Sequence, residues 1–129
     1  MPDQKAPTAL IVEDDQRIRE LVADTLSNEG YSVLRAQDGW QAIQLLDDLI
    51  LPSAVPCVIL LDMMLPRVSG LGVLDHLRNR GATLPVVAMS ASPMHLAAAQ
   101  AAGTHATLAK PFDLDDLLGV VAEHCPLAS

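Results

Sequence analysis

Aromatic side chains are scarce in this sequence. Tyr31, Trp40 and Phe112 are the only three in 129 residues, although half the chain is hydrophobic, so its core has to be assembled from Leu, Ile, Val and Ala. That bias suits parallel strands covered by helices on both faces. Basic residues are also few, eight against sixteen acidic ones, and the formal net charge is -8. A field of that sign repels nucleic acid and anionic membrane surfaces, and neither is expected as a partner. Lysine occurs only as Lys5 and Lys110, and cysteine only as Cys57 and Cys125. The two cysteines read as separate reduced thiols of a cytoplasmic protein, not as a disulfide framework. No uncharged stretch reaches the ~20 residues of a membrane span, and Met1 to Thr8 lacks the basic and apolar regions of a signal peptide. Gly39, Gly70, Gly72, Gly81 and Gly103 form no phosphate-binding GxGxxG or P-loop pattern, which disfavours nucleotide binding.

What is present alternates between two periodicities. TALIVE (8–13), YSVLRA (31–36), CVILLD (57–62), LPVVAMS (84–90) and HATLA (105–109) read as strands. Between and after them run amphipathic stripes: Ile18, Leu21, Val22 and Leu26; Ala42, Ile43, Leu46, Leu49 and Ile50; Val73, Leu74 and Leu77; an Ala-rich segment opened by Ser92-Pro93; and Leu114, Leu117, Leu118 and Val121. Gly30 and Gly103 are expected to close two of these helices, and Pro52 and Pro56 to bracket a loop. Five strand-then-helix units with right-handed crossovers predict a doubly wound α/β fold with a parallel sheet.

In such sheets, chemistry gathers just past the carboxyl ends of the strands. Here those ends carry Glu13 with Asp14 and Asp15, then Asp62, Ser90 and Lys110. Several carboxylates at one rim raise one another's pKa unless a cation joins them. With no clustered His or Cys, the hard oxygen donors favour Mg²⁺ over Zn²⁺. One amine and one hydroxyl complete a set suited to attack by the Asp62 carboxylate on phosphorus. The alternative is that the acids serve as helix N-caps or first-turn charges, a role open to Asp14 or Asp15.

Four segments, LIVEDD (10–15), ILLDMMLPRVSG (59–70), VVAMSAS (86–92) and AKPF (109–112), closely resemble the receiver domain of two-component response regulators. The resemblance covers nearly the whole chain. It implies a flavodoxin-like five-stranded parallel sheet of order 2-1-3-4-5, with helices on both faces. The receiver domain is then expected over 8–125, with a flexible N-terminus at 1–7 and a short tail at 126–129. It further implies Asp62 as phosphoacceptor, Asp14 as direct Mg²⁺ ligand, Glu13 as its acidic partner and the Met64 backbone carbonyl as a further ligand. Ser90 corresponds to the switch hydroxyl and Lys110 to the family's lysine, with a cis Lys110-Pro111 bond. Met64, Ala91 and Ser92 fall at positions that modulate the site, and apolar Met64 is expected to slow self-dephosphorylation. Thr107 departs from the pattern, since it stands where the family usually has Tyr or Phe.

The function implied is a phosphorylation-dependent switch in a phosphorelay. It takes its phosphoryl group from a histidine kinase or a histidine phosphotransfer protein and signals to a downstream protein target. The face of helix 4, strand 5 and helix 5 is a candidate homodimer surface. The chain would not be an enzyme in its own right. Two alternatives carry less: a Mg²⁺-dependent phosphohydrolase, which would want an acid two residues after Asp62, and a receiver fold kept only as a scaffold. His76, His95 and His124 show no ligand spacing and read as surface or boundary residues, His105 as a surface or rim residue, and Trp40 at the start of helix 2 as packing or partly exposed.

Overall fold

A computed structural model describes residues 6–49 and 55–127. The elements follow in strict alternation: β1 (Thr8–Val12), α1 (Gln16–Glu29), β2 (Ser32–Ala36), α2 (Gly39–Leu49), β3 (Val58–Asp62), α3 (Gly70–Asn79), β4 (Val86–Ser90), α4 (Pro93–Ala101), β5 (Ala106–Ala109) and α5 (Leu114–His124). The strands form one parallel sheet in the order β2-β1-β3-β4-β5, as expected. Ile50, Pro52 and most of the expected flexible N-terminus lie outside the described residues, as does the end of the tail.

Side chains alternate across a strand, so each central strand feeds two cores. Ile11, Leu60 and Met89 meet Val22 and Leu26 of α1 and Leu117 and Val121 of α5. Leu10, Ile59 and Ala88 face the other way, against Leu46 of α2, Val73 and Leu77 of α3, and Ala99 of α4. β3 and β4 are buried along their whole length, whereas the edge strands β2 and β5 are partly open. This accounts for the continuous apolar reading of CVILLD and VVAMS.

Local signals set the helix ends. The Asp15 side chain accepts from the Arg17 and Ile18 N–H groups and caps α1, so it is the acid that takes the N-cap role. Gly30 closes α1 at φ 113°, a left-handed conformation that costs glycine little. Ser69 and Ser92 cap α3 and α4, and Pro93 occupies the first turn of α4.

One expectation is corrected. Cys57 and Cys125 are not separate thiols but are joined as a disulfide, with Cα atoms 5.5 Å apart. The start of β3 and the end of α5 belong to the same apolar core. Their 68-residue separation in sequence conceals that meeting. The Tyr31 hydroxyl donates to the Cys125 carbonyl at 2.7 Å, which further anchors the end of α5.

Candidate functional site

The carboxyl ends of β1, β3, β4 and β5 converge on an open cavity of about 370 Å³, lined among others by Glu13, Asp14, Asp62, Met64, Ser90 and Lys110. Parallel register brings them together. Asp62 closes β3 beside Met89 of β4, Ser90 follows Met89, and the Lys110 N–H donates to the Ser90 carbonyl at 2.9 Å. All the residues placed at this rim by sequence therefore share one site.

Glu13, Asp14 and Asp62 each offer a carboxylate oxygen, and the three oxygens lie within 4.8 Å of one another. Glu13 and Asp62 are buried, while Asp14 is exposed. The Lys110 ammonium donates to Glu13 Oε1 at 2.6 Å and to Asp62 Oδ2 at 3.1 Å. Asp62 Oδ1 accepts from the Met64 N–H at 3.0 Å, and Glu13 Oε2 from the Asp15 N–H at 3.2 Å. Burial, followed by the neighbouring Asp62, pushes the Glu13 carboxyl up to about 7 against the pull of Lys110. For Lys110, burial acts to lower the pKa, but its hydrogen bonds to Glu13 and Asp62 outweigh it and leave the amine raised. Three carboxyl groups share a single amine here, which leaves the site short of positive charge. Its donors are all hard oxygens, so the residues present fit a divalent ion of that class.

Of the residues expected to modulate the site, Met64 and Ala91 line the cavity. Met64 is 61% exposed and has no side-chain hydrogen bond to offer. Ala91 is exposed on the rim, and the Ser92 N–H donates to Ser90 Oγ at 3.0 Å. Thr107 is half-buried on β5, opposite Ala88. The Lys110-Pro111 bond is cis.

Several side-chain contacts, at the site and away from it, were not apparent from sequence. Arg19 reaches back from α1 to donate to the Glu13 carbonyl at 2.9 Å and the Asp14 carbonyl at 3.5 Å, tying down the acidic turn. His95, expected to be a boundary residue, turns its Nδ1 toward Ser90 Oγ at 3.5 Å. Trp40 lies beneath the Arg67 guanidinium, 4.4 Å from its ring centroid. His76 meets Asp47 at 2.7 Å, and His105 packs edge to face with His124. These contacts depend on side chains meeting from different elements, and spacing along the chain gives no sign of them.

The model of the response regulator receiver domain matches residues 9–122. The chain belongs to that family. The response regulator MprA of Mycolicibacterium vanbaalenii is 40% identical over 111 residues, which is 84% of this chain but 46% of that protein. MprA of Mycobacterium avium is 39% identical over the same length. The chain thus spans about half the length of these curated relatives. Among solved structures, the receiver domain of NtrX from Brucella abortus has a TM-score of 0.80 at 32% identity, covering 90% of this chain and 96% of that one. The chemotaxis protein CheY4 of Vibrio cholerae has a TM-score of 0.81 at 27% identity, covering 92% of this chain and 98% of that one.

A receiver domain is a signalling module of two-component systems and not a conventional catalytic domain. The acidic cluster of Glu13, Asp14 and Asp62 is able to coordinate a divalent ion and is consistent with a phosphoaspartate switch. Among the described residues, no helix is long and apolar enough to cross a membrane.

Proposed function

We propose that Asp62 accepts a phosphoryl group from a phosphohistidine donor and that the resulting charge at the sheet rim changes the contacts this receiver domain makes with a downstream protein. The observation that supports this most is the placement of the Asp62 carboxylate. It lies at an open cavity, with one oxygen held by the Met64 N–H and the other by Lys110, beside the oxygens of Glu13 and Asp14. In the transfer, an Asp62 oxygen forms a bond to phosphorus as the phosphorus–nitrogen bond to the donor imidazole breaks, and the nitrogen keeps the electron pair. Lys110 is placed to follow the phosphoryl oxygens as their charge develops, because it already spans the site.

Asp14, Asp62, Glu13, in part through water, and the Met64 carbonyl are the groups that would hold Mg²⁺. Mg²⁺, when bound, supplies neutralising charge to the phosphoryl oxygens. Glu13 and Asp14 act by setting the negative potential that draws such an ion, and Arg19 by fixing the turn that carries them. Asp15 serves α1 as its cap.

The donor would be a histidine kinase or a histidine phosphotransfer protein. Such a donor has to bring its imidazole over Asp62, and the wall beside Lys110 is suited to receive a helix. A groove of about 350 Å³, mostly apolar, runs there between α1 and α5, lined by Ile18, Leu21, Pro111, Phe112 and Leu114. Leu21 is 53% exposed. Output through helix 4, strand 5 and helix 5, including a homodimer through that face, belongs to the same reading. A hydrolase is disfavoured because Met64 and Ala91 bring neither acid nor base to the cavity.

The test is chemical trapping. After incubation with Mg²⁺ and acetyl phosphate, borohydride converts an aspartyl phosphate to homoserine, and peptide mapping locates it. Homoserine at position 62 is expected. Modification confined to another acid would contradict the assignment.

A further inference from the structure

Ser90 is 2% exposed, so its hydroxyl has to find its partners within the protein. Its oxygen accepts from the Ser92 N–H at 3.0 Å. Its one other side-chain partner among the described residues is His95 Nδ1, at 3.5 Å, which accepts the hydroxyl proton when the imidazole proton sits on Nε2. The hydroxyl makes no hydrogen bond to Asp62 or Lys110, although all three line the same cavity. His95 is in the first turn of α4, and its own N–H donates to the capping Ser92 Oγ at 3.4 Å. Ser90, Ser92 and His95 thus form one small network joining the end of β4 to the start of α4.

We propose that His95 is a positioning residue that holds the Ser90 hydroxyl away from Asp62 in the unphosphorylated protein, and that a phosphoryl group on Asp62 captures this hydroxyl and frees the imidazole. The inference rests on Asp62 being the phosphoacceptor. A phosphoryl oxygen is a charged acceptor and forms a shorter, stronger hydrogen bond than a neutral imidazole at 3.5 Å. The exchange trades one hydrogen bond for another without breaking any covalent bond. The freed ring has somewhere to go, since His95 already lines a cavity of about 140 Å³ with Met63, Ser69, Leu71 and Ala98, between the start of α3 and α4. The consequence falls on α4. In this chain β5 carries Thr107 and not an aromatic ring, so coupling through the first turn of α4 supplies a route from Asp62 to the surface that needs no aromatic on β5.

The proposal requires one tautomer: to accept from Ser90, Nδ1 has to be bare and Nε2 has to carry the proton. Imidazole ¹⁵N chemical shifts read this directly. In the free wild-type protein, His95 is expected to be held in the Nε2–H form. That preference should be lost in Ser90→Ala, and in wild type loaded with beryllofluoride and Mg²⁺. A wild-type ring with a protonated Nδ1, or one indifferent to both changes, overturns the proposal. In a second arm, His95→Leu removes the competing acceptor and should tighten beryllofluoride binding about fivefold, the equivalent of one net hydrogen bond. His95→Asn, whose Oδ1 replaces the acceptor, should restore the wild-type value. Equal affinity in all three proteins also overturns it. Should wild type take up no beryllofluoride at all, the phosphoacceptor reading fails, and the Ser90→Ala comparison in free protein still decides whether His95 holds Ser90.

Discussion

The Lys110 ammonium lies closer to Glu13, at 2.6 Å, than to Asp62, at 3.1 Å. In the resting protein the amine is therefore anchored on the deeper acid and only shared with the proposed phosphoacceptor. A phosphoryl group on Asp62 would bring new anionic oxygens within reach of an amine that is already in place. Lys110→Met should slow labelling by acetyl phosphate on the order of 100-fold, the usual effect of removing one donor from a developing anion. Time-resolved intact mass in saturating Mg²⁺ gives the rates. Equal rates in the two proteins would remove Lys110 from the chemistry.

Burial and Asp62 raise Glu13 to about 7, and this makes metal-free stability depend on pH. The folded state binds the Glu13 proton more tightly than the unfolded state, where a glutamate titrates at its ordinary value of 4.5. Glu13 thus contributes its full stability below the unfolded value and loses it as pH rises through about 7. Urea unfolding in EDTA should show wild type losing stability between these limits relative to Glu13→Gln, and Mg²⁺ should recover part of the loss. Parallel pH profiles for the two proteins would contradict this.

The Cys57–Cys125 link closes a long loop between β3 and α5, and cross-links of this kind contribute typically about 2–4 kcal/mol. Unfolding free energies from urea titrations with and without a reductant should differ by that amount in wild type and not in Cys57→Ser/Cys125→Ser. Before reduction, neither thiol should react with a maleimide in denaturant. Labelling of both without reductant would show that the pair is not bonded in solution.

Met64 is exposed at the mouth of the cavity and offers water no hydrogen bond. Met64→Asn and Met64→Glu are expected to lose the phosphoryl group faster than wild type, by about tenfold if a polar group orients the attacking water as a general base does. Decay of the adduct mass after removal of acetyl phosphate measures it. A rate unchanged or slower in both variants would count against this role for Met64.

The fold was legible because its signals are local. Apolar runs such as CVILLD end in a charged residue where the strand reaches the rim, and Gly30, Ser69 and Ser92-Pro93 mark helix ends by their own backbone chemistry. The meeting of Glu13, Asp14, Asp62, Ser90 and Lys110 follows from parallel topology alone, since every strand delivers its last residue to the same edge. The disulfide, the reach of Arg19 and the contact of His95 with Ser90 have no such local signal. Each depends on how far a side chain extends from one element toward another, and this is set by packing and not by periodicity.

The most direct test of the central claim is intact mass spectrometry of wild type and Asp62→Asn after incubation with acetyl phosphate, with and without Mg²⁺. Wild type should gain the mass of one phosphoryl group only when Mg²⁺ is present, and Asp62→Asn should gain none. An equal gain in the variant, or a gain in wild type that ignores Mg²⁺, would contradict a carboxylate made reactive by the acidic cluster and its ion.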